Sequence, residues 1–279
     1  MSEAPLQLCV PARAEYLAVI RQALTGVADA LEFGVSVLND MKVAVNEACT
    51  NVVVHAYPDE TGTLEVGVRP QPEEVAVIVR DNGVGVQARS DPSGGVGFLL
   101  ISSLSDRFEI RGGGDAGIEV RMVFKLDATP DGELSAIDPD IATSAPAGVV
   151  SAGAVFSAVP GPVVGPVISR LIGALATQAD LSLDRLSDAQ LVGEAISAHV
   201  HDYISGDRIQ IVLEDAERRL DMRIGPLAES GSEQLRRDLT LPGADRSLEQ
   251  LIDKVDTEYE QQNGAETKVE YLRLNFVQS

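Results

Sequence analysis

Basic residues are scarce in this chain: 22 Lys and Arg stand against 43 Asp and Glu, a formal charge of −21. Such a surface repels phosphate backbones, and no local basic patch reverses it, so direct nucleic-acid binding is not expected. Cysteine is nearly missing. Cys9 and Cys49 are too few for a disulfide scaffold, and a reducing cytoplasm is the natural home. The opening Met-Ser-Glu-Ala-Pro lacks the basic and apolar regions of a signal peptide. Charge of either sign is absent between Asp140 and Arg170, a length that can cross a bilayer. Pro146, Pro160, Pro162 and Pro166 break that stretch, however, and its residues are mostly small. A linker followed by a buried strand fits it better than a membrane span. What is present is enough apolar material, 44% over 279 residues, for the cores of two domains.

The first 126 residues read as one α+β unit. Leu6–Val10 suggests a strand, and Leu17, Ile20, Leu24, Val27 and Leu31 have the spacing of an amphipathic helix over 14–31. Asn39 or Asp40 is the expected cap of a second helix running to about Ala56. Strands are expected at 63–68 and 75–79, a Gly-rich segment at 82–97, a short helix at 98–104, and closing strands at 108–110 and 118–124. Residues 127–150 hold Pro, Asp, Ala, Ser and Gly without periodicity and read as a flexible acidic linker. Residues 151–279 then repeat the pattern. Residues 153–160 echo residues 5–11, and Glu194-Ala195 falls on Glu47-Ala48 at a step of 147 positions. A diverged internal duplication is the expected reading.

Three pieces of the first unit carry chemistry. Glu47, Asn51 and His55 are spaced four apart and line one helix face, while Val45, Cys49, Val52 and Ala56 can pack inward. An amide oxygen can bind Mg²⁺, and a carboxylate one turn away can accept a proton from an attacking hydroxyl. A solvated polar face is the plain alternative. Asp81-Asn82-Gly83-Val84-Gly85 follows a strand, so Asp81 can accept a hydrogen bond from an exocyclic amine beside glycines that admit a close ligand. Taken alone it is equally a tight loop. Gly94-Gly95-Val96-Gly97 opens a helix, where backbone amides form an anion site. A Walker sequence ending in Gly-Lys-Ser/Thr is absent.

In this order and spacing the three pieces resemble the N, G1 and G2 boxes of the GHKL (histidine-kinase-like, Bergerat) ATPase superfamily. The wording of 40–57 and of Val10–Arg21 is similar to one branch, the anti-sigma factor serine kinases of bacterial stress and sporulation switches. The resemblance covers residues 6–126. It implies a two-layer α/β sandwich of the Bergerat type, tandemly duplicated here, and a protein serine/threonine kinase that uses ATP and Mg²⁺. Carried over to this chain, Glu47 is the general base and Asn51 the Mg²⁺ ligand. Asp81 reads the adenine amine, Gly83 and Gly85 shape its pocket, and Gly95 and Gly97 bring amides to the phosphates. Residues 86–94 correspond to the ATP lid, with Arg89 as a phosphate contact, and Arg21 is a partner contact on the first helix. The implied partners are a sigma factor and an anti-anti-sigma protein of STAS type. His55 reads as structural.

The second copy departs from the pattern. At the step of 147, Ala198 replaces Asn51, and Ile224-Gly225-Pro226 replaces the Asp81 loop. No glycine-rich helix opening is evident near 229–232, so this half is not expected to bind ATP. His199 and His201, two apart on a helix, point away from each other and make a poor metal pair. One live and one silent half imply a pseudo-dimer within the chain, a homodimer, or an enlarged partner surface. Two other readings stand beside the kinase. A non-enzymatic regulator can use ATP only to set its binding conformation. A histidine kinase core is the other, but it lacks a dimerisation helix bearing a phosphoacceptor His.

Overall fold

The computed structural model describes residues 5–58, 62–83, 95–112, 117–126, 152–238, 251–261 and 268–278. The chain divides into two units, Met1–Ser151 and Ala152–Ser279. The expected linker at 127–150 lies outside the described residues.

The first unit runs β1 (Leu6–Pro11), α1 (Tyr16–Ala30), α2 (Val35–His55), β2 (Thr63–Pro70), β3 (Glu74–Asp81), α3 (Gly95–Leu104), β4 (Arg107–Gly112) and β5 (Ile118–Lys125). Its antiparallel sheet has the strand order β4-β5-β3-β2-β1. Successive strand residues face opposite ways, so the register Leu8↔Val66↔Val79↔Val120 marks one continuous apolar row. The buried face of α1 (Val19, Ile20, Ala23, Leu24, Val27) and that of α2 (Met41, Ala44, Val45, Ala48, Cys49, Val52) close the core. The other face of the sheet carries polar cross-strand partners. Glu65, Arg80 and Glu119 are register neighbours, Arg80 pairs with Glu119, and Gln7 Nε2 donates to Glu65 Oε1 at 3.0 Å. Both cysteines are free and buried; burial pushes their thiols up, which leaves them neutral packing groups.

Two helix starts differ from expectation. Helix α2 begins at Val35 rather than near Asn39: Gly34 is its extended N-cap, with ψ 143° and no side-chain cap, and the amide of Leu38 donates to Gly34 O at 3.0 Å. The polar pair at 39–40 therefore lies inside the helix. Helix α3 begins at Gly95, so Gly95 and Gly97 belong to its first turn instead of a preceding loop.

The second unit runs β6 (Ala154–Ala158), α4 (Val164–Gln178), α5 (Leu183–His199), a 3₁₀ turn at Val200–Asp202, β7 (Ile209–Ala216), β8 (Arg219–Leu227), α6 (Gly231–Asp238), β9 (Lys254–Gln261) and β10 (Lys268–Val277). Its strand order is β6-β7-β8-β10-β9, so element order and sheet order are those of the first unit. The uncharged stretch thus yields a strand and the start of a helix. No helix among the described residues is long and apolar enough to cross a membrane.

From the first strand to the second helix the two units match at a constant step of 148 positions. The positive-φ corner residues Glu32 (53°) and Asp180 (55°) coincide, as do the N-caps Gly34 and Ser182. The buried positions Met41, Ala44, Val45, Ala48 and Val52 then fall on Ala189, Val192, Gly193, Ile196 and Val200. The step of 147 suggested by the Glu-Ala pairs is one residue short. Ala195 stands at the place of Glu47, His199 at that of Asn51, and Ala198 at that of Thr50. A shared dipeptide misled where helix faces decide.

Helix α6 and strand β9 were not anticipated. Strand β9 is rich in charge and takes its support from its neighbour β10 and from β8 beyond it: Glu258 pairs with Arg273 of β10 and Arg223 of β8. Helix α6 is capped by Glu270 of β10, whose carboxylate accepts from the amides of Ser230 (2.9 Å) and Ser232 (3.1 Å) and from Ser232 Oγ (2.6 Å). Burial pushes this carboxyl up, but the three hydrogen bonds outweigh it and hold the group below the usual carboxylate range. A depressed folded-state value contributes stability above the unfolded value and loses it as pH falls through the folded one. Glu270→Gln should therefore lower unfolding stability near neutral pH by about 1–3 kcal/mol in chemical denaturation. The difference from the unaltered chain should shrink in acid.

Candidate functional site

The period of β3 places the key carboxylate. Val75, Val77 and Val79 face the helices, so Asp81, two residues on, ends the same inward row. It is 6% exposed, in register with Leu64 on one side, and its Oδ1 accepts from the amide of Gly83 at 2.9 Å. Burial pushes its carboxyl up, opposed by backbone hydrogen bonds from Gly83 and Ile118. Asn51 and His55 of α2 line the same pocket, together with Val52, Val79, Phe98 and Val120. The fold thus joins the carboxylate of one sequence motif to the amide of another at an apolar slot. An acceptor at the end of apolar walls suits an aminopurine edge. The slot measures about 20 Å³, room for roughly one water, so a nucleotide base enters only if side chains such as Phe98 move.

Glu47 is not on that pocket's wall. One turn before Asn51, it lies against the first turn of α3, where a Cβ on Gly97 would overlap Glu47 Oε1. Gly97 is thus needed for the close approach of this carboxylate as well as for any exposed amide. Gly83 is confined in the same manner, since a Cβ there would overlap the carbonyl of Ala56 at the end of α2. Gly95 opens α3. Gly85, Arg89 and the expected lid at 86–94 lie outside the described residues. Arg21 is not among the residues lining the pocket: exposed on α1, it donates from Nη1 to Asn46 Oδ1 at 2.7 Å.

Tyr57 is a positioning residue that sequence reasoning passed over. Its hydroxyl donates to Thr63 O at 2.8 Å and accepts from the amide of Asn82 at 2.9 Å. It thereby ties the end of α2 to the start of β2 and to the loop after Asp81. The ring covers Gly62, where a Cβ would overlap it. The only sequence signal was an aromatic just past a helix end, which by itself reads as a terminator.

The second unit is built differently at each matching place. Counted along the register Leu8↔Val66↔Val79 against Phe156↔Ile211↔Ile224, the residue at the position of Asp81 is Pro226. Ile224 itself matches Val79, a correction of two residues to the expected replacement. Along β10 a register shift between Glu270 and Leu272 pairs Glu270 with Leu227, just past Pro226, and Glu270 caps α6, while Ala195 and His199 replace Glu47 and Asn51. The acceptor, the amide and the helix N-terminus are therefore absent or already engaged.

Asp81→Asn tests the cost of this burial. Folded Asp81 binds its proton more tightly than the unfolded carboxyl does, so its ionisation opposes folding at neutral pH. The amide oxygen of Asn can keep the bond from Gly83. The variant should unfold at a higher temperature than the unaltered chain in a thermal melt near pH 7.

Residues 10–124 match the family model of the histidine kinase-like ATPase domain. Among curated proteins, the serine-protein kinase RsbW of Bacillus cereus (strain Q1) is 34% identical over 133 residues, 42% of this chain and 82% of the relative. RsbW of Bacillus mycoides (strain KBAB4) is 32% identical over the same shares, and RsbW of Bacillus anthracis (strain CDC 684 / NRRL 3495) is 34% identical. The match falls on the unit that holds Glu47, Asn51 and Asp81, and by it the chain belongs to the histidine kinase-like (GHKL) ATPases, in their anti-sigma serine kinase branch.

Proposed function

We propose that the first unit is an ATP- and Mg²⁺-dependent serine/threonine kinase that sequesters a sigma factor and phosphorylates an anti-anti-sigma protein. The observation that carries this reading is the junction of Asn51 and Asp81 in one apolar pocket, one helical turn from Glu47. Bound ATP supplies the phosphoryl group, and Mg²⁺ offsets its charge. Asp81 accepts from the adenine amine, which selects adenine over bases that lack a donor there. Asn51 offers its amide oxygen to Mg²⁺. Glu47 takes the proton of the substrate hydroxyl as that oxygen bonds to the γ-phosphorus and ADP leaves with the β–γ bridging oxygen. Its place beside α3 sets it next to the helix N-terminus suited to phosphate. Gly95 and Gly97 bring backbone amides to the phosphates at the start of α3. By the family resemblance, Gly83 and Gly85 shape the adenine pocket and Arg89 is a phosphate contact; Gly85 and Arg89 lie outside the described residues. Arg21, exposed on α1 and oriented by Asn46, belongs to the partner-binding face.

The repeated element order reads as a tandem duplication whose second copy, with Pro226, His199 and Glu270 at the decisive places, does not bind nucleotide. Purified chain should transfer radiolabelled γ-phosphate from ATP to serine of an anti-anti-sigma partner of the same genome. Glu47→Gln should keep ATP binding and lose transfer by roughly 100-fold or more, the scale of a general base. Transfer that survives Glu47→Gln would remove the base assignment. ATP binding with no transfer by the unaltered chain would leave an ATP-gated interaction protein.

A further inference from the structure

The second unit contains an open cavity of about 340 Å³ with no counterpart among the pockets of the first unit described above. Its floor is apolar, formed by Val164 and Ile209, and its rim carries Gly161, Ala198 and the exposed His201. The constant step between the units explains why it exists. Val164 stands where the first unit has Tyr16, and Gly161 stands where it has Arg13. Tyr16 is 1% exposed; Arg13 Nη2 donates to its hydroxyl at 3.1 Å, and the guanidinium carbon lies 5.2 Å from the ring centre. In the second unit both large side chains are gone, and a Cβ placed on Gly161 would meet nothing within 4 Å.

We propose that this cavity binds a small, neutral aromatic molecule of the phenol class, lodged where the first unit keeps the ring of Tyr16. The volume falls within the range of small-molecule sites. The walls hold no Lys, Arg, Asp or Glu, which disfavours a charged ligand. Two polar groups can meet a hydroxyl in place of Arg13. Ser197 Oγ, which donates to Glu194 O at 2.8 Å, keeps lone pairs to accept, and the His201 imidazole stands at the rim. The site is independent of the nucleotide pocket, so its test does not depend on kinase activity.

The probe is p-cresol, titrated into the full chain by calorimetry, with p-hydroxybenzoate as the charged comparison. The unaltered chain should bind one p-cresol and favour it over p-hydroxybenzoate. Val164→Tyr, which restores the ring of the first unit, should weaken p-cresol binding roughly tenfold or more and raise the unfolding temperature. Ala198→Leu, an exposed rim change that leaves the core alone, should weaken binding as well while keeping the unfolding temperature within a degree or two. Failure of the unaltered chain to bind p-cresol would overturn the proposal. So would equal affinity of the unaltered chain and the Ala198→Leu variant, whether or not Val164→Tyr folds.

Discussion

Asp81 ends the inward-facing row of β3, and burying its carboxylate beneath α2 opposes folding in a way that the amide of Gly83 only partly offsets. The surrounding structure is arranged around that burial. Gly83 must be glycine because its backbone approaches Ala56 so closely. Tyr57 holds the loop after Asp81 through the amide of Asn82. Helix α2 then sets Asn51 opposite the carboxylate and Glu47 one turn away, against α3. A charge kept in an apolar slot is poor for stability and good for recognition, because a complementary donor gains most where water is scarce.

The second unit shows the same scaffold relieved of that cost. Pro226 at the end of the corresponding row carries no charge and no amide. Its α6 N-terminus is satisfied from within by the carboxylate of Glu270, held by three hydrogen bonds. Where the first unit fills a corner with Tyr16, the second has Val164 and a cavity. Identical topology therefore supports two chemically distinct units.

Much of the first unit was legible because its signals are local. Alternation gave the strands, four-residue spacing put Glu47, Asn51 and His55 on one face of α2, and the strand before Asp81 fixed that motif's place. The start of α2 was misplaced because polar Asn39 and Asp40 resemble caps, whereas the real cap, Gly34, works through backbone alone. Strand β9 was missed because its charges are neutralised by Arg223 and Arg273 from other strands, which no local window contains. The one-residue slip between the units has a similar cause. Sequence offered a matching Glu-Ala pair, but burial of Val192, Gly193 and Ile196 decides which face of α5 is which. The cap by Glu270 and the clamp by Tyr57 are long-range contacts, invisible until strands are paired.

The most direct test of the proposal that only the first unit binds nucleotide is the stoichiometry of ATP binding. Calorimetric titration of the full chain with ATP and Mg²⁺ should give one site per chain, and Asn51→Ala should abolish it. Two sites per chain, or a single site that persists in Asn51→Ala, would contradict the assignment of the nucleotide to the first unit.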